Sequence, residues 1–469
     1  MFLDLDKRPR ERMAIKDDSG YTLSYGDACD AIGAFSALEL PRCVIFCLCE
    51  NCAGSLIGYM AFENDRQVPL LLSASLDAEL RGNLEKTYQP SYYWVPERMA
   101  EEVGGERVHA ALGYVLLKTE YAPYPIHEKL SMLLTTSGST GSPKLVRHKY
   151  GNLEANAANV AKVFSWTQEE VGICDLPMNY TMGLNVINSH LVAGASVLMV
   201  KANLMDPAFW EFIKVNGGTS FCGVPFSYEV MRRVGFDKMD LPKLTTLAEG
   251  GGKLTDKMFT WIASFCKNNG KRFCATFGTS ETSARMAFLD PGLALEKIGS
   301  MGKAIPNGEL FLLDEMQNED GTVSGELGYR GPNVTMGYAI CRDDLMKDDE
   351  FCGEYHTGDV AKRDQDGFYF IIGRKGRFLK LFGLRVSLDE TERILKTQYP
   401  NADFVCTGDD KRMNIFTTDE ALKDQIIPFI TAKTKLHNSA FKVYVVEQIP
   451  RNDYGKVRFA ALEEIAARA

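Results

Sequence analysis

Short apolar runs rich in β-forming residues punctuate the first half of the chain: Cys43–Cys49, Val68–Leu72, Ser91–Val95, Leu130–Thr135, Ser196–Val200 and Thr219–Gly223. Each is too short for a helix and too continuously apolar for a strand with one wet face, so each reads as a strand buried on both faces. Between them lie amphipathic stretches of helical period, among them Asn152–Phe164, Pro207–Asn216 and Thr255–Asn269. That alternation predicts an α/β fold with largely parallel sheets. After Gly299 the texture changes to short, Gly-punctuated strands, Glu309–Asp314, Gly325–Arg330, Val360–Arg363 and Gly367–Ile372, the last two joined by a Gln365-Asp366-Gly367 turn that suits a hairpin. From Phe378 the order reads strand, helix (Leu388–Gln398), strands, helix. The expected architecture is therefore a large N-terminal domain of parallel sheets flanked by helices, a small β-rich subdomain, and a small C-terminal α+β domain. The boundary is placed between Lys375 and Gly376, giving domains 1–375 and 376–469.

Composition narrows the function. The 469 residues carry 62 acidic against 53 basic side chains, a net charge of −9 that argues against a sequence-independent nucleic-acid binder. The start mixes charges with isolated apolar residues, and no run approaches the roughly 20 apolar residues that span a bilayer. A cytoplasmic protein without membrane contact is expected. Four of the 12 cysteines cluster at Cys43, Cys47, Cys49 and Cys52. Cys47 and Cys49 fall on one face of the Cys43–Cys49 run and paired C-x-x-C knuckles are missing, so they read as small core residues kept reduced, not as a metal site.

Four local patterns carry chemistry. Thr135-Thr136-Ser137-Gly138-Ser139-Thr140-Gly141-Ser142-Pro143-Lys144 follows an apolar strand; its free N–H groups, hydroxyls and one lysine can cradle polyphosphate oxygens. It lacks the Gly-Lys-Ser/Thr of a Walker loop, and the alternative reading of the loop alone is a flexible surface turn. Phe277-Gly278-Thr279-Ser280-Glu281 ends a second strand on an acidic residue, either a Mg²⁺ ligand beside phosphate or a helix cap. Tyr355-His356-Thr357-Gly358-Asp359 places Asp359 at a tight turn, where a carboxylate can accept from two ribose hydroxyls. Lys456 stands on a Gly turn 13 residues from the end.

In this order, with Gly373-Arg374 and Gly383-Leu384-Arg385 between the last two, the patterns resemble those of the adenylate-forming superfamily: acyl-CoA synthetases, firefly luciferases and the adenylation domains of nonribosomal peptide synthetases. The resemblance runs from the strand at Cys43 to Lys456 and looks like that of stand-alone AMP-dependent ligases from bacterial polysaccharide or natural-product clusters. It implies that a carboxylate attacks the α-phosphate of ATP, releasing pyrophosphate, and that a thiol then takes the acyl group from acyl-AMP. By that likeness Thr136, Ser137, Gly138, Ser139, Thr140, Gly141 and Lys144 hold the departing phosphates and Glu281 holds Mg²⁺. Gly251, Gly252, Phe277, Gly278, Thr279 and Ser280 surround the nucleotide, with Phe277 in place of the usual adenine-stacking tyrosine. Asp359 holds the ribose, and Arg374 sits near it at the hinge. Lys456, with Thr140 and Glu281 as partners in catalysis, contacts the acyl carboxylate and the α-phosphate. The small domain then rotates so that Gly383 and Arg385 line a channel for the thiol of CoA or of a phosphopantetheinyl carrier.

The acyl pocket implied by the likeness is formed by Asn179, Tyr180, Gly183 and Gly250. No aspartate stands where amino-acid-activating relatives place one, Asp175 ending a strand instead, so a small or hydroxylated non-amino acid is expected, a D-alanine-like amino acid being the alternative. A nucleotide-binding scaffold without turnover is the non-enzyme alternative. Gly376 replaces the usual Asp or Lys at the hinge and leaves rotation possible. The basic run Arg374, Lys375, Arg377, Lys380 and Arg385 faces either a phosphate-bearing partner or solvent. The acceptor is expected to come from outside the chain, as CoA or an acyl carrier protein, and a monomer or homodimer is expected.

Overall fold

Six parallel strands form the centre of the larger sheet, in the order Arg272–Phe277, Thr246–Glu249, Ser220–Gly223, Val171–Cys174, Ser196–Met199 and Met13–Asp17, and short antiparallel strands extend both edges to nine. A second sheet of eight strands has four parallel strands at its heart, Leu130–Thr135, Val68–Ser73, Val44–Cys49 and Tyr92–Pro96. The computed structural model describes residues 1–135, 144–381, 384–409, 411–434, 436–452 and 456–468. The apolar runs of the sequence are these strands. Val44–Cys49 is buried along its whole length, and its alternate side chains Val44, Phe46 and Leu48 join Val68, Leu70 and Leu72 in one core cluster. Each such side chain contributes about 1.5–3 kcal/mol by leaving water.

The helix Ala53–Asn64 shows how the sheets are tied together. Its N-cap, Cys52, has no side-chain oxygen to offer the first turn, and the carboxylate of Asp17, from the other sheet, accepts from Ala53 N at 2.9 Å instead. Cys43, Cys47, Cys49 and Cys52 are all buried, and all 12 cysteines are free thiols.

The chain divides into two compact units, Met1–Leu310 with Tyr329–Tyr355, and Phe311–Gly328 with His356–Ala469. Both large sheets belong to the first. The second carries most of a four-stranded sheet (Glu309–Gln317, Val323–Arg330, Glu354–Arg363, Tyr369–Arg374), a two-stranded ribbon (Phe378–Leu381, Leu384–Ser387) and a three-stranded sheet (Phe404–Asp409, Arg412–Thr417, Phe441–Val445) with the helices Leu388–Gln398, Lys423–Thr434 and Phe459–Arg468. The α/β class with a smaller α+β C-terminal part is the architecture expected. One local expectation is corrected: Asp359 lies within the strand Glu354–Arg363, which continues through Thr357-Gly358, and Asp359 pairs with Arg374 at the first rung of the ladder to Tyr369–Arg374. Among the described residues no helix is long and apolar enough to cross a membrane.

Candidate active site

In the first unit, four segments meet beyond the C-terminal ends of the parallel strands, the end at which open α/β sheets bind ligands. One is the turn Gly250-Gly251-Gly252 after Thr246–Glu249. A Cβ on Gly250 would lie 2.5 Å from Met182 Cε and 2.8 Å from Thr276 Oγ1, and one on Gly251 (φ +75°) would lie 2.6 Å from the Tyr180 hydroxyl. These contacts join the turn to the start of the helix Thr181–Val192 and to the strand Arg272–Phe277, while Gly252 lies against Pro225. Thr276 Oγ1 donates to Glu249 O at 2.6 Å, pinning neighbouring strands where they end.

The loop before the helix is held by a residue the sequence reading did not single out. Asn51 donates to the carbonyls of Cys174, Leu176 and Val200 and accepts from Met178 N at 2.9 Å. Asn179 and Tyr180 are buried beside it. Gly183 is packed so closely under this loop that a Cβ would lie 2.4 Å from Pro177 O, so its part in the site is to let the helix approach. Asp175, just after the strand, is half-buried, and desolvation of its carboxyl pushes it up to about 7.

Glu281 sits in a short turn, Ser280–Thr282, after the strand Arg272–Phe277. Its Oε1 accepts from the Tyr338 hydroxyl at 2.7 Å, and the Lys144 ammonium lies 5.0 Å from the centre of the Tyr338 ring. The two charged residues read from separate motifs thus converge on one tyrosine, whose hydroxyl is held well above its usual range by burial first and by Glu281 second. Tyr338 was not anticipated; an aromatic residue after a glycine in an irregular stretch gives no periodic signal. The turn is braced by Thr335 N donating to Glu281 O and by Thr181 Oγ1 and Ser280 Oγ at 2.7 Å. Thr279 N bonds Thr282 Oγ1, and Gly278 lies against the chain at Ala284, where a Cβ would lie 1.3 Å from Ala284 O. Phe277 ends the strand half-buried.

In the second unit, Asp359 is buried and its Oδ1 accepts from Arg374 Nε at 2.8 Å, with Arg374 otherwise exposed. Asp359 N bonds Thr357 Oγ1, which donates to Leu327 O. Lys375 is fixed to this sheet by Glu326 at 2.5 Å and by Gly358 O. Two residues on, Arg377 is bound to the C-terminal block by Asp389, Glu392 and Cys406 O, with the Phe459 ring 4.8 Å away. Arg377 is therefore a half-buried anchor whose guanidinium is engaged by two carboxylates and a carbonyl of its own block. Lys456 lies half-buried in a loop closed by the Arg451–Val457 bridge, and its backbone N donates to Asn452 Oδ1.

Thr136, Ser137, Gly138, Ser139, Thr140, Gly141 and Gly383 lie outside the described residues, as do the side chains of Lys380 and Arg385. Among the described residues no cluster of three or more His, Cys, Asp or Glu side chains is poised to hold a metal. A Mg²⁺ carried mainly by phosphate oxygens and water needs no such cluster, and Glu281, half-buried with only Oε1 engaged by Tyr338, fits the single carboxylate such an ion takes.

Known proteins share this arrangement of elements. O-succinylbenzoate CoA synthetase from Bacillus subtilis in complex with AMP superposes with a TM-score of 0.76 at 19% identity, covering 98% of this chain and 97% of that one. ATP-bound MatB from Rhodopseudomonas palustris gives 0.74 at 19% identity, covering 99% and 98%. Likenesses at that identity establish the fold. In sequence, a 2-succinylbenzoate–CoA ligase of Bacillus cereus is 26% identical over 352 residues, 72% of this chain and 70% of the relative. The corresponding ligase of Listeria monocytogenes is 23% identical over 423 residues, 86% of this chain and 87% of the relative. Residues 64–339, which hold Lys144, the glycine turn, Glu281 and Tyr338, match the model of the AMP-binding enzymes, and the chain belongs to that family.

Proposed function

We propose that this protein is an AMP-forming acid:thiol ligase, which joins a carboxylic acid to the α-phosphate of ATP, releases pyrophosphate and passes the acyl group to the thiol of CoA. The observation that carries the reading is the family match over residues 64–339, which encloses the converging Lys144 and Glu281. The named CoA ligases among the sequence relatives favour CoA over a carrier protein as acceptor.

In this reading Lys144 and the preceding Ser/Gly/Thr loop, Thr136–Gly141, bind the departing pyrophosphate. Glu281 holds a Mg²⁺ that would neutralise charge on the phosphates, and Tyr338 orients Glu281 by its hydroxyl. Asp359, oriented by Arg374, takes the ribose hydroxyls. Phe277 offers its ring face to the adenine, and the Gly250–Gly252 turn gives backbone room for nucleotide and acyl group beside Tyr180 and Asn179. Lys456 acts in the first half-reaction by electrostatics: charge moves from the carboxylate towards the phosphorus in the transition state, and an ammonium placed between them stabilises both ends.

The small domain, 376–469, turns about Lys375–Gly376 between half-reactions, bringing Gly383 and Arg385 to the thiol path. Support comes from the hinge itself. Gly376 has φ +99° with open space around it, and its neighbours are tied to different blocks, Lys375 to Glu326 and Arg377 to Asp389 and Glu392. The 12 free cysteines, ten of them buried, favour a reducing, cytoplasmic setting.

Acid-dependent exchange of labelled pyrophosphate into ATP, run across a panel of acids, tests the assignment. Exchange with at least one acid is expected, and Lys456→Ala should lower it by about 10²-fold or more, the order lost with a transition-state electrostatic partner. A protein that binds ATP but exchanges with no acid would be the scaffold instead. Supplying CoA or a carrier protein to the preformed adenylate decides the acceptor.

A further inference from the structure

Arg285 is buried to 3% exposure and is linked through the Thr276 hydroxyl to Gly250 of the proposed acyl pocket, and nothing in the chemistry above uses it. The chain reaches it through Ser283 (φ +56°) and Ala284 (φ +103°), a backbone path that side-chain-bearing residues seldom take. Asn156 Nδ2 holds its carbonyl at 2.7 Å. The side chain then enters the space between the helix Thr181–Val192 and the ends of the parallel strands. Nε donates to Thr276 Oγ1, the atom that also abuts Gly250; Nη1 donates to Asn185 Oδ1 and Nη2 to Cys222 Sγ at 2.8 Å. The Phe164 ring lies 5.1 Å from the guanidinium.

All these partners are neutral. Among the described residues no carboxylate comes within 4.0 Å of the guanidinium. Glu249, at the end of a neighbouring strand, is buried and its Oε1 has no partner; desolvation outweighs the attraction of the Arg285 charge and holds its carboxyl well above the usual carboxylate range. Three hydrogen bonds leave two of the five guanidinium N–H donors to spare. Beside the group lies a small cavity edged by Val186, His190, Ser220, Cys222 and Ala248. A buried cation with spare donors and no ion-paired carboxylate is costly in a finished core and suited to a site that an anion completes.

We propose that Arg285 is a specificity residue of the acyl pocket and that the acid activated is a small dicarboxylate, whose second carboxylate pairs with the guanidinium while the first faces the nucleotide. The inference rests on the acid-activating reading and deepens it. It replaces the expectation of a merely hydroxylated acid, since a hydroxyl would leave the charge uncompensated. It also disfavours an amino acid, whose ammonium would meet a like charge.

The test compares malonate, succinate and glutarate with butyrate and valerate of similar length, and with alanine, in wild type, Arg285→Gln, Arg285→Lys and Arg285→Met. Two readouts are taken: kcat/KM for pyrophosphate exchange, and the rise in Tm on adding acid together with AMP, which needs no turnover. Wild type should favour one diacid over the matched monoacid by about 10²-fold, and Arg285→Gln should lower that diacid-to-monoacid ratio by a similar factor. Arg285→Lys should retain part of the ratio. Exchange that proceeds with monoacids as well as with any diacid, or a ratio unmoved by Arg285→Gln, overturns the inference while leaving the acid-activating reading intact. If no acid supports exchange, that reading fails. The Tm arm then still decides: diacids that protect wild type but not Arg285→Gln support the anion site, and diacids that protect both or neither exclude it.

Discussion

Glu281 and Arg285 stand four residues apart on the same stretch of chain, and their surroundings are opposite. Glu281 is half-buried, accepts a phenolic hydrogen bond and has Lys144 across the same tyrosine ring. Arg285 is almost wholly buried, and the groups that touch it are an amide, a hydroxyl, a thiol and an aromatic face. A charge in a partly wet position with an opposite charge nearby costs little to keep and suits a polyphosphate that arrives with its own cation and water. A charge buried among neutral dipoles is expensive until a ligand completes it, which suits selection of one kind of acid. The strained turn at Ser283 and Ala284 separates the two environments over so short a distance.

The comparison can be broken at either end. The largest effect is expected from Glu281→Ala, which should lower pyrophosphate exchange by about 10²-fold with every acid alike and raise the Mg²⁺ concentration needed. A loss confined to diacids would mean the two residues share one role. A pH series sharpens the buried end. His190, on the cavity beside Arg285, has its pKa lowered to about 4, by burial first and with the Arg285 charge a lesser cause, and buried His148 is lowered to about 3. Both are neutral in the folded protein and titrate near 6.5 when unfolded, so the stability they contribute is complete above pH 6.5 and lost as pH falls through that value towards 4. Between those limits His190 alone accounts for about 3 kcal/mol, measurable by urea unfolding at stepped pH. A flat profile from pH 7 to 4 would show that His190 is not held neutral.

Arg285→Met should raise stability in the absence of acid by about 1–4 kcal/mol, because an apolar side chain of similar reach removes an uncompensated charge, whereas Glu281→Gln should change it little. Equal destabilisation by both would mean that Arg285 is part of the core and not kept for a ligand. The smallest effect is expected at Tyr338→Phe. Removing one hydroxyl–carboxylate bond of about 1 kcal/mol should lower exchange roughly five-fold while leaving the diacid preference unchanged.

The Lys144–Glu281 end of the candidate site was more legible in the sequence than the surroundings of Arg285. Buried parallel strands announce themselves as unbroken apolar runs, so the four central strands of the eight-stranded sheet and two of the nine-stranded one, Ser196–Met199 and Ser220–Gly223, were legible before the structure, as were the helix Leu388–Gln398 and the core placement of the clustered cysteines. Lys144 and Glu281, which the structure brings to one tyrosine, could be singled out because each ends a motif of Gly, Ser and Thr after such a strand. Arg285 was not, because non-glycine residues at positive φ leave no mark in a sequence, and an arginine between Ala284 and Met286 looks like any surface residue. Asn51 and Tyr338 escaped for a related reason: their importance lies in partners more than a hundred residues away for Asn51, and in a carboxylate and an ammonium from two other segments for Tyr338. Asp359 was placed in a turn on the strength of the preceding glycine, whereas its cross-strand pairing with Arg374 keeps it in a strand. Arg377 was grouped with its basic neighbours by sequence, and only the fold reveals the two carboxylates that claim it.

The central claim, that the acid is activated by forming an acyl adenylate, is tested most directly by the fate of its oxygen. With the acid labelled in its carboxylates with ¹⁸O, one turnover with ATP, Mg²⁺ and CoA should yield AMP carrying one labelled oxygen, because the carboxylate oxygen that attacks the α-phosphate leaves with AMP when the thiol takes the acyl group. Label in inorganic phosphate or pyrophosphate, or AMP formed without label, would contradict the account.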